Sequence, residues 1–288
     1  MRKKSMLFAA PAFIIYTALL IIPILVAFFL SFTNWNGIAS SSIKFVGINN
    51  FINLFKDARL LNAIKVTFTI AITVTVVVNI LGLVFAILLN KAGKLTNIFR
   101  SIFFMPYVLS TVAVSFIWIS ILSYTGALNS ILGAVGLTSL QQDYIGNAKN
   151  AIRSICIIEI WKTVGFNMVI YLASLQTVPA ELYEACTIDG GSIWDKFKNV
   201  TFPMIIPGIT ISVLMSIITE MRQFDLVKVI TDGGPGNSTE TIAYNIITQA
   251  FGNNMLGYSS AIALILFIIT GTISILQINL SRRMEVES

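Results

Sequence analysis

Long apolar runs separated by short polar stretches set the plan of this chain. Runs close to the ~20 residues that cross a bilayer fall at 6–30, 64–89, 102–122, 152–175, 203–222 and 259–280. None alternates with period two, so a membrane barrel is not indicated. The second run is rich in Val, Ile and Thr, but at that length only a helix satisfies its own backbone in lipid. The pattern predicts an all-α integral membrane protein with six transmembrane helices. The first run is longer than the roughly 7–15 apolar residues of a signal peptide. It ends in SFTNWNG with no small-residue cleavage site, so it reads as a retained span bent at Pro11 and Pro23. Pro106 falls in the first turns of the third.

The polar stretches differ in character. Residues 31–63 form a linker with turn signals at Asn36-Gly37 and Gly47, and its GINNFINLFKD stretch predicts a short amphipathic helix. Residues 123–150 read as a Gly/Ser/Asn/Gln loop and TDGGPGNSTET, from Thr231 to Thr241, as a tight surface turn. Arg2, Lys3 and Lys4 lead the first run, and NKAGKLTNIFR carries Lys91, Lys94 and Arg100 with no acid. By the positive-inside rule these place both termini, 90–101 and 176–202 in the cytoplasm of a bacterial cell. The expected organisation is an N-tail, first span and linker over 1–63, a five-helix core over 64–281 with its loop at 176–203, and a tail over 282–288.

Composition narrows the chemistry. Apolar residues make up 56% and charged ones 11%, against about 25% charged in soluble domains. The net charge of +6 lies in loops and tails, which suits a membrane surface and not a nucleic-acid partner. There is no His, and Cys156 and Cys186 stand alone, which excludes the usual zinc, Ser-His and CxxC sites. No catalytic or metal-binding residue is predicted. No G-x-x-x-x-G-K-[ST] loop occurs, so if nucleotide drives this protein another chain binds it.

Ionisable residues inside apolar runs are functional candidates because burying them costs several kcal/mol unless they face protein or water. Glu159 and Lys162, three apart in the fourth run, share a helix face and can pair. Glu220 closes the fifth run, and Tyr107, Thr111, Ser115 and Ser216 add hydroxyls that line a wet path or serve helix packing. A secondary transporter using Glu159 and Glu220 for proton coupling is one reading; an intramembrane enzyme lacks any paired catalytic constellation.

Glu184 to Pro203, EACTIDGGSIWDKFKNVTFP, is the one long charged stretch between two spans, divided by Gly190-Gly191 into two short helices. Glu184-Ala185-Cys186, three residues, Gly190, nine residues, then Val200-Thr201-Phe202-Pro203 resembles the E-A-A, x3, G, x9, I-x-L-P coupling motif of ABC importer permeases. Cys186, Val200 and Phe202 replace Ala, Ile and Leu, and each stays small or apolar. LFAAPAFIIYTALLIIPILVAFFLSFTNW, LASLQTVPAELYEA, TDGGPGNSTET and AFGNNMLGYSSAIALILF resemble the carbohydrate branch, of maltose and glycerol-phosphate permease type.

The resemblance implies a type I importer fold and one half of a heterodimer with a second homologous permease subunit. It implies two copies of an ABC ATPase, which hold ATP and Mg, and an extracytoplasmic binding protein that delivers a sugar. Glu184, Ala185, Cys186, Asp189, Gly190 and Pro203 become the ATPase-coupling residues, with Glu184 facing a basic residue of the ATPase. Tyr107, Thr111, Glu159, Thr163, Ser216 and Glu220 become candidate solute contacts, two of them carboxylates where the maltose-type relative has amides. Glycerol phosphate or an amino-sugar derivative is the alternative solute.

Overall fold

The computed structural model describes residues 10–91 and 93–283. The basic residues Arg2, Lys3 and Lys4, the start of the first run and the tail beyond Arg283 lie outside the described residues. The helices are α1 (Ala10–Leu30), α2 (Asn49–Leu54), α3 (Ala58–Leu88), α4 (Lys94–Val108), α5 (Thr111–Leu122), α6 (Ala127–Ala134) and α7 (Ala148–Gln176). There follow α8 (Ala180–Ile188), α9 (Ile193–Met204), α10 (Ile206–Met221), α11 (Asp225–Ile230), α12 (Ile242–Ile247) and α13 (Leu256–Arg282). Five segments are long and apolar enough to span: α1, α3, Thr111–Ala134, α7 and α13; a sixth arises if α9 and α10, bent by 65°, count as one. Counted in that way, the number of spans is the six expected.

Contacts group the chain into two units, one through Leu61 with Ile242–Ile269, the other Asn62–Thr241 with the residues from Thr270. In the first, the linker folds back on itself. Asn34 N–H donates to the Lys44 carbonyl at 3.1 Å and Val46 N–H to that of Phe32 at 2.8 Å. Asn50 on α2 donates to the carbonyls of Ser31 and Thr33, both at 2.8 Å, and Tyr258 O–H to Asp57 Oδ2 at 2.7 Å. The expected turns at Gly37 and Gly47 both have positive φ, and the expected amphipathic helix is α2.

In the second unit α7 is the central helix, packed against α4 and α10. Gly165 is what lets α4 approach: a Cβ there would strike the Phe103 carbonyl and come within 2.8 Å of Phe104 Cα. Small residues at helix crossings are the usual means of close packing in membranes, where the hydrophobic effect no longer drives association. Below that crossing Ala86, Met168, Tyr171, Leu172, Leu175 and Ile205 form a buried core. The Arg100 guanidinium, on the basic stretch after α3, donates to the Leu89 carbonyl at 2.6 and 3.1 Å. It thereby satisfies a backbone acceptor left over at the end of α3.

Three expectations need correction. The third run is not one helix: α4 begins at Lys94 and ends at Val108, so Pro106 lies near its end and not in its first turns. Leu109 and Ser110 are extended before α5 starts at Thr111. Hydropathy averages over such a break because the residues stay apolar while the backbone turns out of the helix. The 123–150 segment is also more ordered than a loop, containing α6 and a 3₁₀ turn at Thr138–Leu140. Finally, the fifth span enters as α9 and bends at Ile205, with Pro203 inside α9 and Pro207 in the first turn of α10.

Candidate functional site

The 184–203 loop is a helix–turn–helix whose turn is set by its glycines. The Gly190 N–H donates to the Thr187 carbonyl at 3.1 Å and the Gly191 N–H to that of Cys186 at 2.8 Å. This paired bonding is the Schellman end of α8, and it puts Gly190 at φ +78, where a side chain is strained. Gly191 leaves room for Cys186, since a Cβ on Gly191 would meet its Sγ at 2.5 Å. On the far side Ser192 caps α9: its N–H donates to Asp195 Oδ2 at 2.8 Å, and Asp195 N–H to Ser192 Oγ at 3.2 Å. This is a capping box with Asp in the Glu position. The arms are tied by Tyr183 O–H and Thr201 Oγ1, 3.0 Å apart.

Glu184, Ala185, Asp189 and Gly190 are exposed, Cys186 and Pro203 half-buried. Reading the loop for its charges missed its apolar tip. Ile188, Ile193 and Trp194 stand 85%, 89% and 67% exposed around the turn. These three large apolar side chains stand in the same loop as the exposed carboxylates Glu184 and Asp189.

Within the bundle, Tyr107, Thr163, Ser216 and Glu220 line one narrow cleft together with Phe166, Asn167, Met215 and Thr219. Tyr107 stacks on Phe166, ring centroids 4.5 Å apart. The other two expected solute contacts, Thr111 and Glu159, are not part of its lining. Lys162 Nζ donates to Thr111 Oγ1 at 2.7 Å, across the α4–α5 break, instead of closing the expected ion pair with Glu159. Glu159 and Glu220 are each 2% exposed, and Oε2 of both makes no hydrogen bond among the described residues.

A buried polar chain supports the cleft. Asn167 Nδ2 donates to Ser216 Oγ at 2.9 Å, as does Asn79 Nδ2 at 3.3 Å, and Ser216 O–H passes on to the Ser212 carbonyl at 2.9 Å. Tyr171 O–H closes it on Asn79 Oδ1 at 2.7 Å. Asn79, Asn167 and Tyr171 escaped the sequence reading although a signal exists. Thr75 and Asn79 on α3, Glu159, Thr163, Asn167 and Tyr171 on α7, and Ser212, Ser216 and Glu220 on α10 each recur at four-residue spacing. That spacing keeps them on neighbouring positions of one helix face, and all nine are buried.

A broken helix, buried carboxylates and a polar stripe on each of three helices define a solute-handling membrane protein, since irregular backbone at membrane depth is tolerated where it faces protein or a wet path. The family model described as binding-protein-dependent transport system inner membrane component matches residues 78–286. The chain belongs to that family, and is a permease subunit of an ABC transporter and not an enzyme. The multiple sugar-binding transport system permease protein MsmF of Streptococcus mutans is 37% identical over 90% of this chain and 88% of its own length. The probable starch degradation products transport system permease protein AmyD of Thermoanaerobacterium thermosulfurigenes is 32% identical over 98% and 94%. The fold is similar to a chain of the bacterial alginate ABC transporter in complex with alginate pentasaccharide-bound periplasmic protein, with TM-score 0.84 and 20% identity over 98% of this chain and 96% of that one. Family membership sets aside the secondary-transporter and enzyme readings.

Proposed function

We propose that this chain is the membrane half-channel of an ATP-driven importer for a sugar or oligosaccharide, and that its 184–203 loop couples it to the ATPase. The exposed turn with Ile188, Ile193 and Trp194 beside Glu184 carries this reading. An apolar tip of that size has no purpose in water and is suited to a groove on a partner. In this reading two ATPase subunits hold ATP and Mg and receive α8 and α9, Glu184 meets a basic residue there, and a second permease subunit completes the channel. Both termini and the loop are cytoplasmic, and an extracytoplasmic binding protein delivers the solute to the other face. The chain works as a leading span and linker over 1–63, a core over 64–281 and a tail over 282–288. Sugar as the cargo is supported by the names of the relatives and by a cleft lined with hydroxyls, an amide and a carboxylate.

The cleft at Tyr107, Thr163, Ser216 and Glu220 is the solute contact of this subunit. Glu220 favours neutral or amine-bearing solutes over anionic ones, which call for Arg or Lys. Co-purification with the ATPase tests the coupling assignment. Glu184→Ala and Gly190→Ala are expected to weaken ATPase recovery and uptake together; normal recovery and uptake in both defeats it.

A further inference from the structure

The segment between α5 and α7 holds a second, open cleft of about 160 Å³, lined by Tyr124, Asn129, Ser130 and Gln141. It adjoins the N-terminal end of α7, whereas the 184–203 loop follows the C-terminal end. The 29 residues of α7 separate those ends by about 43 Å, so the cleft opens on the face of the membrane opposite the loop.

Its frame is held from within. The buried Asn129 donates to the carbonyls of Tyr124 and Gln142, both at 2.9 Å, and its Oδ1 accepts the Gln142 N–H at 3.3 Å. Gln141 Nε2 donates to the Asn129 carbonyl at 2.7 Å. Asn150, in the first turn of α7, donates to Gln142 Oε1 at 3.0 Å and to the Asp143 carbonyl at 3.1 Å, anchoring the cap to the span. The side chains left to face a ligand are the Tyr124 ring, 67% exposed, the Gln141 amide oxygen and the Ser130 hydroxyl, whose proton goes to the Gly126 carbonyl at 3.0 Å. That is one aromatic face beside two acceptors, with no charge in the lining. An aromatic face takes the apolar C–H side of a pyranose, and fixed acceptors take its hydroxyl protons. An anion or a cation finds no counter-charge there.

We propose that this cleft is a carbohydrate subsite on the outer face, where a neutral sugar ring stacks on Tyr124 before it reaches the cleft at Tyr107 and Glu220. The proposal rests on the importer reading, which sets the membrane orientation and the cargo.

The test is saturation-transfer NMR on the full chain, assembled with its partner subunits in nanodiscs, with maltotriose and raffinose as probes. Transfer from protein aromatic protons to a trisaccharide is expected in the wild type and in Tyr124→Phe, which keeps the ring. It should fall roughly fivefold or more in Tyr124→Ala and in Gln141→Ala. Equal transfer in wild type and Tyr124→Ala overturns the proposal, as does no transfer from either sugar in the wild type. Transfer that survives Tyr124→Ala but is lost in Ser216→Ala places the sugar in the deeper cleft alone and also overturns it. Failure of the importer reading has its own readout, ATPase recovery indifferent to Glu184→Ala and Gly190→Ala.

Discussion

The Gly191 N–H reaches back to the Cys186 carbonyl at 2.8 Å and so ends α8. The bond explains why a small residue and a glycine stand at these two positions: the turn is too tight for a Cβ against Cys186 Sγ. The loop is therefore a tight corner with its apolar tip at the turn.

Breaking the corner should uncouple without unfolding. Gly190 has φ +78, and a Cβ added to it would meet nothing within 4 Å, so Gly190→Ala costs about 1–2 kcal/mol through backbone strain alone. The measurement is transport-stimulated ATP hydrolysis beside the thermal unfolding midpoint of the detergent-solubilised permease. The first is expected to fall several-fold while the second stays within a few degrees.

The tip supplies affinity. Trp194→Ala removes a large exposed side chain at the centre of the proposed contact, and central aromatic anchors of this kind are worth about 2 kcal/mol or more. ATPase binding, read by surface plasmon resonance on the nanodisc-embedded permease, should weaken about 30-fold. Lys198→Ala, beyond the turn, should change it less than about threefold.

Ser216 is the shared acceptor of Asn79 and Asn167. Ser216→Ala leaves two buried amide donors short of a partner, at about 1–3 kcal/mol. The unfolding midpoint should drop measurably. Tyr171→Phe, which removes the bond to Asn79 Oδ1, should lower it in the same direction, and the double variant should lose less than the two effects added because the groups form one network.

Gly165 admits no side chain. Gly165→Val drives a branched Cβ into the Phe103 carbonyl, and overpacking against backbone costs about 1–3 kcal/mol, occasionally more. The expected result is poor recovery of folded protein from membranes, read by fluorescence-detected size exclusion. Gly271→Val, where a Cβ meets nothing within 4 Å, should be recovered normally.

Glu220→Gln keeps the shape of the solute cleft and replaces its carboxyl group by an amide. Uptake of a neutral sugar should persist within about threefold, whereas competition by a glucosamine disaccharide should weaken about fivefold or more. Equal competition in both proteins takes Glu220 out of the solute contact.

The first, second, fourth and sixth spans, the linker turns at Gly37 and Gly47, helix α2 and the break at Gly190-Gly191 could be read from residue order because each depends on local rules. Apolar length sets a span, a glycine takes a positive φ, and a run of polar and apolar residues at helical spacing makes an amphipathic turn. The four-residue stripes on α3, α7 and α10 were equally legible, but asparagine, threonine and tyrosine inside an apolar run attract less notice than a carboxylate.

What tertiary structure alone decided was which of these residues meet. Tyr107 and Ser216 lie far apart in the chain and share a cleft, while Glu159, one turn of α7 from Thr163 and on the same face, is not part of its lining. Lys162 is three residues from Glu159 yet bonds Thr111. The break at Leu109–Ser110 is silent in hydropathy because lipid responds to side chains, whereas a helix ends where backbone groups find other partners. Sequence determined that this chain crosses a membrane and carries a sharp corner between two short helices, since burial and turn geometry act over a few residues. The cleft was decided by helix crossings such as that of Gly165 with Phe103, because close approach depends on the shapes of two surfaces and not on either alone.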